Sequence, residues 1–512
     1  MSKKESILST NRHRFPIIEI SILVIIALGL RFIFLNSEIP LSLDALSYFS
    51  FSYETMVQGH IPEIVPFTNL GWPMFVTFFF TIFSFDSAIE YMNLQKIISV
   101  ALSSLTIIPV YILCRKFTEN KYALFASALF IFDPRIIQNS ILGITDAFYL
   151  LMMTSVFVLF FNNQKKYVYL AFALSALTTL IRAEGVFVFI AISILFFIKF
   201  KNEKKNILKY LIGFAIFILI LSPILSERID LFQNEFMPQF VTESEITVED
   251  QQSTTPNPIT GFENFVKFLG WSMIPVYVVF LIPGFILMIK KWKRENFEII
   301  IPIIIMSIPI LYAYSIQAQD TRYLFVLFPF FSIIATFSLE KLGDKLSEIR
   351  KILPIILGIV IISSIVFLYE KTDYEHEKES YLISKYLVEN AYGINNIYPE
   401  SQFIRSVEVI EDFPNIPFKD DTGEYTHKMK IFKSQEKNLT GFIESEKENG
   451  LTHIIIKNKN FNGINYEIDN NKENYEFLEK IFNSNERGWE NNFEIFKINY
   501  EKFQMIQEKQ DE

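Results

Sequence analysis

A single carboxylate, Asp44, stands just beyond an apolar run that finishes near Leu35. A charge beside a bilayer is costly, so a carboxylate at this point indicates use as a general base. The alternative is a helix N-cap, because the residues from Ala45 onward have helical spacing and Asp is a favoured cap. Tyr48 follows one helical turn later, where it would contact a sugar or phosphate, or anchor in the aromatic belt of the bilayer.

Two arginines lie beside acidic residues at the ends of other apolar runs. Arg182 and Glu184 form a tight turn between two such runs. Arg182 could hold a phosphate in a bidentate fork, whereas Glu184 could bind substrate or simply pair with Arg182. Arg322 offers a second phosphate contact, and a surface ion pair with Asp320 is the alternative.

Three further side chains are candidates for substrate or metal binding. Asp146 heads an apolar run, either as a helix cap or as a second carboxylate that orients an acceptor or shares a divalent metal ion with Asp44. Arg31 would either snorkel to the lipid head groups or contact phosphate. His60 is the one histidine in the first loop, and no two of the 5 histidines have the spacing of a zinc site.

The composition is that of a polytopic membrane protein. Hydrophobic residues make up 51% of the 512 residues and charged residues 20%, and the apolar excess sits in runs long enough to cross a bilayer. The single cysteine excludes an internal disulfide and a cysteine-rich metal site. A net charge of −9 without a basic cluster argues against nucleic acid as a partner.

The apolar runs predict about 11 membrane spans. They cover 16–35, 93–114, 120–138, 145–161, 167–181, 184–200, 208–225, 272–290, 297–314, 323–339 and 352–369. With the N-terminus inside, the basic residues fall in alternate loops, as the positive-inside rule requires. The candidate residues then lie at the outer ends of the spans, so we expect the chemistry at the outer membrane face.

The sequence predicts two domains, a helical membrane core over 1–370 and an extracytoplasmic α/β domain over 371–512. In the second, helices are expected over 377–391, 440–449 and 474–482, and strands over 452–457 and 493–498. In the first loop, an amphipathic helix over 44–58 precedes a short apolar helix near 74–85 that is interfacial or re-entrant.

The run LRFIFLNSEIPLSLDALSYFSFSYETMVQG, which ends at Gly59, resembles the opening of GT-C superfamily glycosyltransferases. The likeness is to the protein mannosyltransferase and aminoarabinose transferase branch, glycosyltransferase family 39. It consists of a first span ending in Arg, followed by Pro, Asp, Tyr and Gly at matching intervals. The segments NSILGITDAFYLL, TTLIRAEGVFVF and DTRYLFVLFPFF also match, so the resemblance covers roughly residues 15–370.

The resemblance implies a polyprenyl-phosphate-sugar donor and transfer with inversion. Asp44 would match the aspartate that takes the acceptor's proton, and Arg182 and Arg322 would stabilise the phosphate leaving group. Many relatives carry an acid directly after the aspartate, where this chain has Ala45, which leaves metal use open. The expected partners are the lipid-linked donor, membrane lipid and a protein, lipid or glycan acceptor.

Two other functions are compatible with a polytopic chain. A transporter or flippase of lipid-linked sugars would place ionisable groups near the midplane and carry an internal repeat, and the sequence shows neither. An oligosaccharyltransferase-like enzyme would have a larger exterior domain and clearer paired acids. We therefore expect a multi-pass glycosyltransferase of the plasma membrane, with its C-terminal domain outside.

Overall fold

The computed structural model describes most of the chain. The described residues are 16–62, 69–162, 164–232, 256–345, 349–372, 374–397, 401–415, 427–432, 438–457 and 475–511. The chain is mainly helical, with one small sheet near its C-terminus.

Sixteen α-helices precede residue 372 in the described part of the chain. They are α1 (Ile17–Phe34), α2 (Leu43–Gln58), α3 (Gly71–Ile82), α4 (Ala88–Leu105), α5 (Ile107–Arg115), α6 (Asn120–Ile131), α7 (Pro134–Ser140), α8 (Asp146–Phe160), α9 (Lys165–Ile181), α10 (Gly185–Lys199), α11 (Asn206–Phe232), α12 (Pro258–Met273), α13 (Val278–Lys290), α14 (Phe297–Ser315), α15 (Phe328–Lys345) and α16 (Ile349–Lys371). A polytopic helical protein is therefore confirmed.

Six helical segments of the described chain are long and apolar enough to cross a membrane, or seven if the bent pair of α12 and α13 forms one span. Helices α8 and α10, which the sequence predicted as spans, are shorter than this length criterion. Turns and helix breaks, such as the one that Asp133 and Pro134 make between α6 and α7, divide the apolar runs. The number 11 stays a prediction.

The chain divides into two compact units. Unit 1 comprises Met1–Leu35, Phe67–Trp72 and Lys96–Glu370, and unit 2 comprises Asn36–Pro66, Pro73–Gln95 and Lys371–Glu512. Most of the first loop thus belongs to the same unit as the C-terminal segment. The domain boundary at residue 370 stays a prediction.

The core of unit 1 is built from close helix–helix contacts. A Cβ atom on Gly284 of α13 would lie 2.2 Å from the carbonyl oxygen of Ile334 in α15, so only glycine allows this approach. Small residues at helix contacts are a general feature of membrane bundles. Aromatic pairs fill the space elsewhere; the rings of Phe189 and Phe217, for example, stack with centroids 4.0 Å apart.

Unit 2 contains a sheet of five strands in the order β2-β1-β3-β5-β4. The strands are β1 (Gly393–Asn395), β2 (Lys430–Phe432), β3 (His453–Lys457), β4 (Leu478–Asn483) and β5 (Phe493–Ile498). Strand β1 pairs in parallel with β2 and β3, whereas β5 pairs antiparallel with β3 and β4. Buried apolar side chains cover both faces of the sheet.

The elements predicted for unit 2 are mostly present. In the described part of the C-terminal segment, four α-helices accompany the sheet, namely α17 (Tyr374–Asn390), α18 (Gln402–Glu411), α19 (Leu439–Glu446) and α20 (Tyr500–Asp511). The strands expected over 452–457 and 493–498 are confirmed as β3 and β5. The helix expected over 474–482 is wrong, because the charged residues there belong to edge strand β4, which pairs with β5.

Candidate active site

Arg182 lies between two carboxylates in unit 1. Its Nη1 atom donates to Asp146 Oδ1 at 2.9 Å and to Thr145 Oγ1 at 3.2 Å. Its Nη2 atom donates to Glu184 Oε1 at 2.8 Å. Asn139 Nδ2 donates to the other oxygen of Asp146 at 3.2 Å. The structure therefore brings together three residues that the sequence predicted for one site.

The sequence of the turn explains this arrangement. Helix α9 ends at Ile181 and helix α10 begins at Gly185, so Arg182 and Glu184 both lie in the short link. A Cβ atom on Gly185 would lie 2.5 Å from the backbone nitrogen of Thr179, which no side chain could avoid. Glycine at this position therefore lets the two helices meet closely at the turn that carries Arg182 and Glu184.

Asp146 does not cap its helix. The N-cap of α8 is Thr145, and the carboxylate of Asp146 instead accepts bonds from the side chains of Arg182 and Asn139. The side chain of Asp146 is 8% exposed and that of Arg182 is 13% exposed, so the pair is largely shielded from water. A shielded pair of this kind is a fixed part of the fold around the turn.

Glu184 is the more accessible of the two carboxylates. Its side chain is 24% exposed. Burial raises the pKa of Glu184, but the charge and hydrogen bonds of Arg182 more than offset this, and Arg322 adds to the effect, so the pKa lies below its ordinary value. The ion pair between Arg182 and Glu184 that the sequence offered as an alternative is thus present.

Arg322 contributes a second positive charge that acts on Glu184. Its Nε atom lies 2.8 Å from Asp320 Oδ2, and Asp320 Oδ1 accepts the backbone N–H of Arg322 at 2.8 Å. Asp320 therefore holds both the backbone and the side chain of Arg322. The positive charge of Arg322 thus acts on the same carboxylate, Glu184, that forms an ion pair with Arg182.

Tyr149 is a member of this group that sequence reasoning missed. Its side chain is 1% exposed, and the hydroxyl group has no hydrogen-bond partner among the described residues. The charged groups that act on this hydroxyl are Glu184, Arg182 and Asp146. The spacing from Asp146 to Tyr149, one helical turn, is the signal that would have found it.

Arg31 does not have the position that snorkelling would give it. The side chain is fully buried, so it does not snorkel to lipid head groups. The guanidinium donates to Ser140 Oγ at 3.1 Å, to Ser103 Oγ at 3.0 Å and to the carbonyl oxygens of Ala27 and Ile131. These bonds join α1 to α4, α7 and the end of α6. Protein oxygen atoms thus accept hydrogen bonds from this guanidinium, and its contact with phosphate stays a prediction.

Asp44 lies in the first turn of α2 in unit 2, with its side chain exposed. Ser42, and not Asp44, is the N-cap residue, so the capping interpretation is wrong. Leu43, directly before Asp44, has a φ of 51°, a left-handed conformation that is unusual for leucine. The helix ends at Gly59, whose φ of 73° forms a left-handed cap.

Tyr48 and His60 lie on the same segment as Asp44 but differ in exposure. Tyr48 is 8% exposed, so it is not a surface anchor. His60 is exposed beyond the end of α2, with its Nδ1 atom 3.0 Å from the carbonyl oxygen of Ile61. Their roles in binding substrate stay predictions.

The described residues contain no group of three His, Cys, Asp or Glu side chains suited to a metal ion. Both oxygens of Asp146 already accept hydrogen bonds from protein donors. A cation at Asp146 would have to displace Arg182 or Asn139. The donor set near Asp146 therefore does not fit a metal.

Comparisons with known proteins identify the fold. A family model described as dolichyl-phosphate-mannose-protein mannosyltransferase matches residues 70–226. No curated protein matches the chain. Among solved structures, the chain is similar to ArnT from Cupriavidus metallidurans, solved bound to undecaprenyl phosphate, with a TM-score of 0.60 and 10% identity. That match covers 93% of this chain and 97% of ArnT.

The oligosaccharyltransferase of Archaeoglobus fulgidus is also similar. Its complex with Zn and sulfate matches with a TM-score of 0.58 and 15% identity, over 85% of this chain and 67% of that chain. AglB from the same organism, solved with an inhibitory peptide and a dolichol-phosphate, matches with a TM-score of 0.54 and 13% identity. That match covers 85% of this chain and 69% of AglB. The chain is a multi-pass membrane protein with the GT-C glycosyltransferase fold, as its sequence predicted.

Proposed function

We propose that the protein transfers a sugar from a polyprenyl-phosphate donor to an acceptor hydroxyl, with inversion at the anomeric carbon. The observation that carries the proposal is the pair of arginines, Arg182 and Arg322, whose positive charges both act on the Glu184 carboxylate. The mannosyltransferase family match over 70–226 supports a lipid-linked sugar donor. The acceptor is a protein, a lipid or a glycan.

Asp44 is the general base in this proposal. Its carboxylate takes the proton of the acceptor hydroxyl while that oxygen forms a bond to the anomeric carbon. The bond between the anomeric carbon and the phosphate oxygen breaks, and the electron pair leaves with the polyprenyl phosphate. The exposed position of Asp44 in the first turn of α2 leaves its carboxylate accessible to an acceptor.

Arg182 and Arg322 stabilise the negative charge that accumulates on the leaving phosphate. Arg182 already contacts both Asp146 and Glu184, so a phosphate must replace one of them. Glu184 is the one replaced, because its side chain is 24% exposed, whereas that of Asp146 is 8% exposed and also bonded to Asn139. Asp146 then keeps Arg182 in place.

The direct test uses purified protein with a polyprenyl-phosphate-sugar and candidate acceptors. We expect release of polyprenyl phosphate, and Asp44→Asn should abolish release while donor binding persists. Asp86→Asn is the matched control, since Asp86 is another acid of the first loop with no assigned role. Undiminished release by Asp44→Asn would remove Asp44 as the base.

A transporter of lipid-linked sugars is the rival function. The family match and the fold both favour a glycosyltransferase over a transporter. In proteoliposomes, a transporter would move the labelled donor across the bilayer without cleaving it. A glycosyltransferase would release polyprenyl phosphate in detergent, where no second compartment exists.

We also propose that the protein resides in the plasma membrane with its N-terminus inside and unit 2 outside. The alternate distribution of basic loops supports this orientation. Reactivity of a cysteine introduced in α17 with an impermeant reagent added to intact cells would test it. Labelling only after lysis would reverse the orientation.

A further inference from the structure

Two side chains from distant parts of the sequence hold the backbone on either side of Asp44. The hydroxyl of Ser406, on α18, donates to the carbonyl oxygen of Leu41, which is 365 residues away in the chain. Gln95, on α4, donates through Nε2 to the carbonyl oxygen of Ala45 at 2.9 Å. Asp44 lies between the two bonded carbonyl groups, so both bonds bear on its position.

Both bonds are shielded from water. Ser406 and Gln95 are fully buried, and Leu41 and Ala45 are 2% and 4% exposed. A buried carbonyl or donor that loses its hydrogen-bond partner destabilises the folded state, because it cannot bond to water instead. We therefore expect both hydrogen bonds to be present in folded unit 2 and to restrict the position of the backbone from Leu41 to Ala45.

The backbone between the two bonds needs such support. Leu43 has a φ of 51°, and a leucine in a left-handed conformation is strained. Strained residues persist where the surrounding structure over-determines them, and they concentrate at functional sites. The contacts of Ser406 and Gln95, one before Leu43 and one after it, meet this condition.

The residues that follow α18 also contact α2. The ring of Phe413 lies 5.3 Å from the ring of Tyr53 and 6.1 Å from the ring of Tyr91, measured between centroids. The hydroxyl of Tyr53 donates to the carbonyl oxygen of Pro414 at 3.5 Å. Helix α2 is thus held near its start by Ser406 and in its second half by this aromatic group.

We propose that Ser406 and Gln95 are positioning residues for Asp44, so that α18 of the C-terminal segment takes part in catalysis by holding the base. The inference rests on the proposed function, in which Asp44 is the base. A base must lie within hydrogen-bond reach of the acceptor hydroxyl, and a displacement of about 1 Å can lower the rate about 100-fold. Ser406 and Gln95 do not themselves contact substrate.

The test measures kcat and the KM of donor and acceptor for full-length variants in detergent. Ser406→Ala removes the donor to Leu41, and we expect kcat to fall at least about tenfold while the KM of the lipid-linked donor changes less than about twofold. Ser406→Thr keeps a hydroxyl and should restore most of kcat. Gln95→Leu should repeat the effect of Ser406→Ala.

The matched control is Ser445→Ala, because the Ser445 hydroxyl bonds only to the carbonyl oxygen of Phe442 within its own helix, by the contacts described. It should leave kcat unchanged. Binding of polyprenyl phosphate to each variant checks that the membrane core remains folded. If Ser406→Ala does not fold, the kcat values of Gln95→Leu and Ser406→Thr test the positioning role instead.

Each outcome has one meaning. A wild-type protein that releases no polyprenyl phosphate refutes the proposed function. An active wild type with Ser406→Ala and Gln95→Leu variants of unchanged kcat overturns the positioning role alone. A fall in kcat that Ser406→Thr does not restore also overturns it, because the hydroxyl would then not be the group that matters.

Discussion

Replacing Arg182 by glutamine should destabilise unit 1 by leaving two carboxylates without their shared cation. Asp146 and Glu184 each form an ion pair with Arg182, at 2.9 and 2.8 Å. Removing one partner from a buried pair costs about 3–5 kcal/mol. Because Glu184 is partly exposed, its ion pair contributes less to this loss. We therefore expect Arg182→Gln to lower the free energy of unfolding by about 3 kcal/mol.

The assay is reversible unfolding in mixed micelles, followed by tryptophan fluorescence. Trp72 is a suitable reporter because it is buried in the same unit, with its ring 6.2 Å from the ring of Phe148. Lys165→Gln is the control, since its ion pair with Glu203 is exposed and should change stability little.

A triple variant separates the loss of charge from the loss of packing. Asp146→Asn and Glu184→Gln, added to Arg182→Gln, remove the uncompensated charges and should recover at least half of the lost stability. The reasoning is refuted if the triple variant is as unstable as Arg182→Gln, or if Arg182→Gln is no less stable than Lys165→Gln.

Four further predictions concern the same turn and the neighbouring Tyr149 of α8. Gly185→Ala should lower both activity and thermal stability because its Cβ would meet backbone at 2.5 Å, whereas Gly358→Ala, with nothing within 4 Å, should leave both unchanged. Glu184→Gln should tighten binding of polyprenyl phosphate, measured by calorimetry, because Glu184 competes for Arg182; weaker binding would contradict the exchange. Because the pKa of Glu184 is lowered in the folded state, its contribution to stability is present above its unfolded pKa and is lost as pH falls through the folded value, so acid titration below pH 4.5 should destabilise wild type more than Glu184→Gln. Tyr149→Phe should keep or raise thermal stability without ligand, since the hydroxyl has no partner among the described residues; a clear loss would show a missed contact.

Much of the candidate site could be predicted from local sequence and topology. Charge sorting across the spans placed Asp146, Arg182, Glu184 and Arg322 at one face, and the structure brings Asp146, Arg182 and Glu184 into contact. This succeeded because the inner and outer ends of a span differ in composition, and short turns such as that at Arg182 restrict where side chains lie.

Contacts between distant segments could not be predicted in this way. The bond from Ser406 to Leu41 joins residues 365 positions apart, and no local pattern marks either one. Strand β4 was mistaken for a helix because its charged residues, Glu479 and Lys480, follow the composition of an exposed helix, whereas pairing with β5 determines its conformation. Arg31 was misplaced because its serine acceptors lie on helices far along the chain.

The buried guanidinium of Arg31 has a consequence for biosynthesis. Helix α1 leaves the ribosome before α4 and α7, which carry the Ser103 and Ser140 hydroxyl groups that Arg31 contacts. Until residue 140 has been synthesised, the first helix holds a cation without these two acceptors while it enters the membrane. The packing of the first helix against α4 and α7 through Arg31 can therefore be completed only after the seventh helix has been translated.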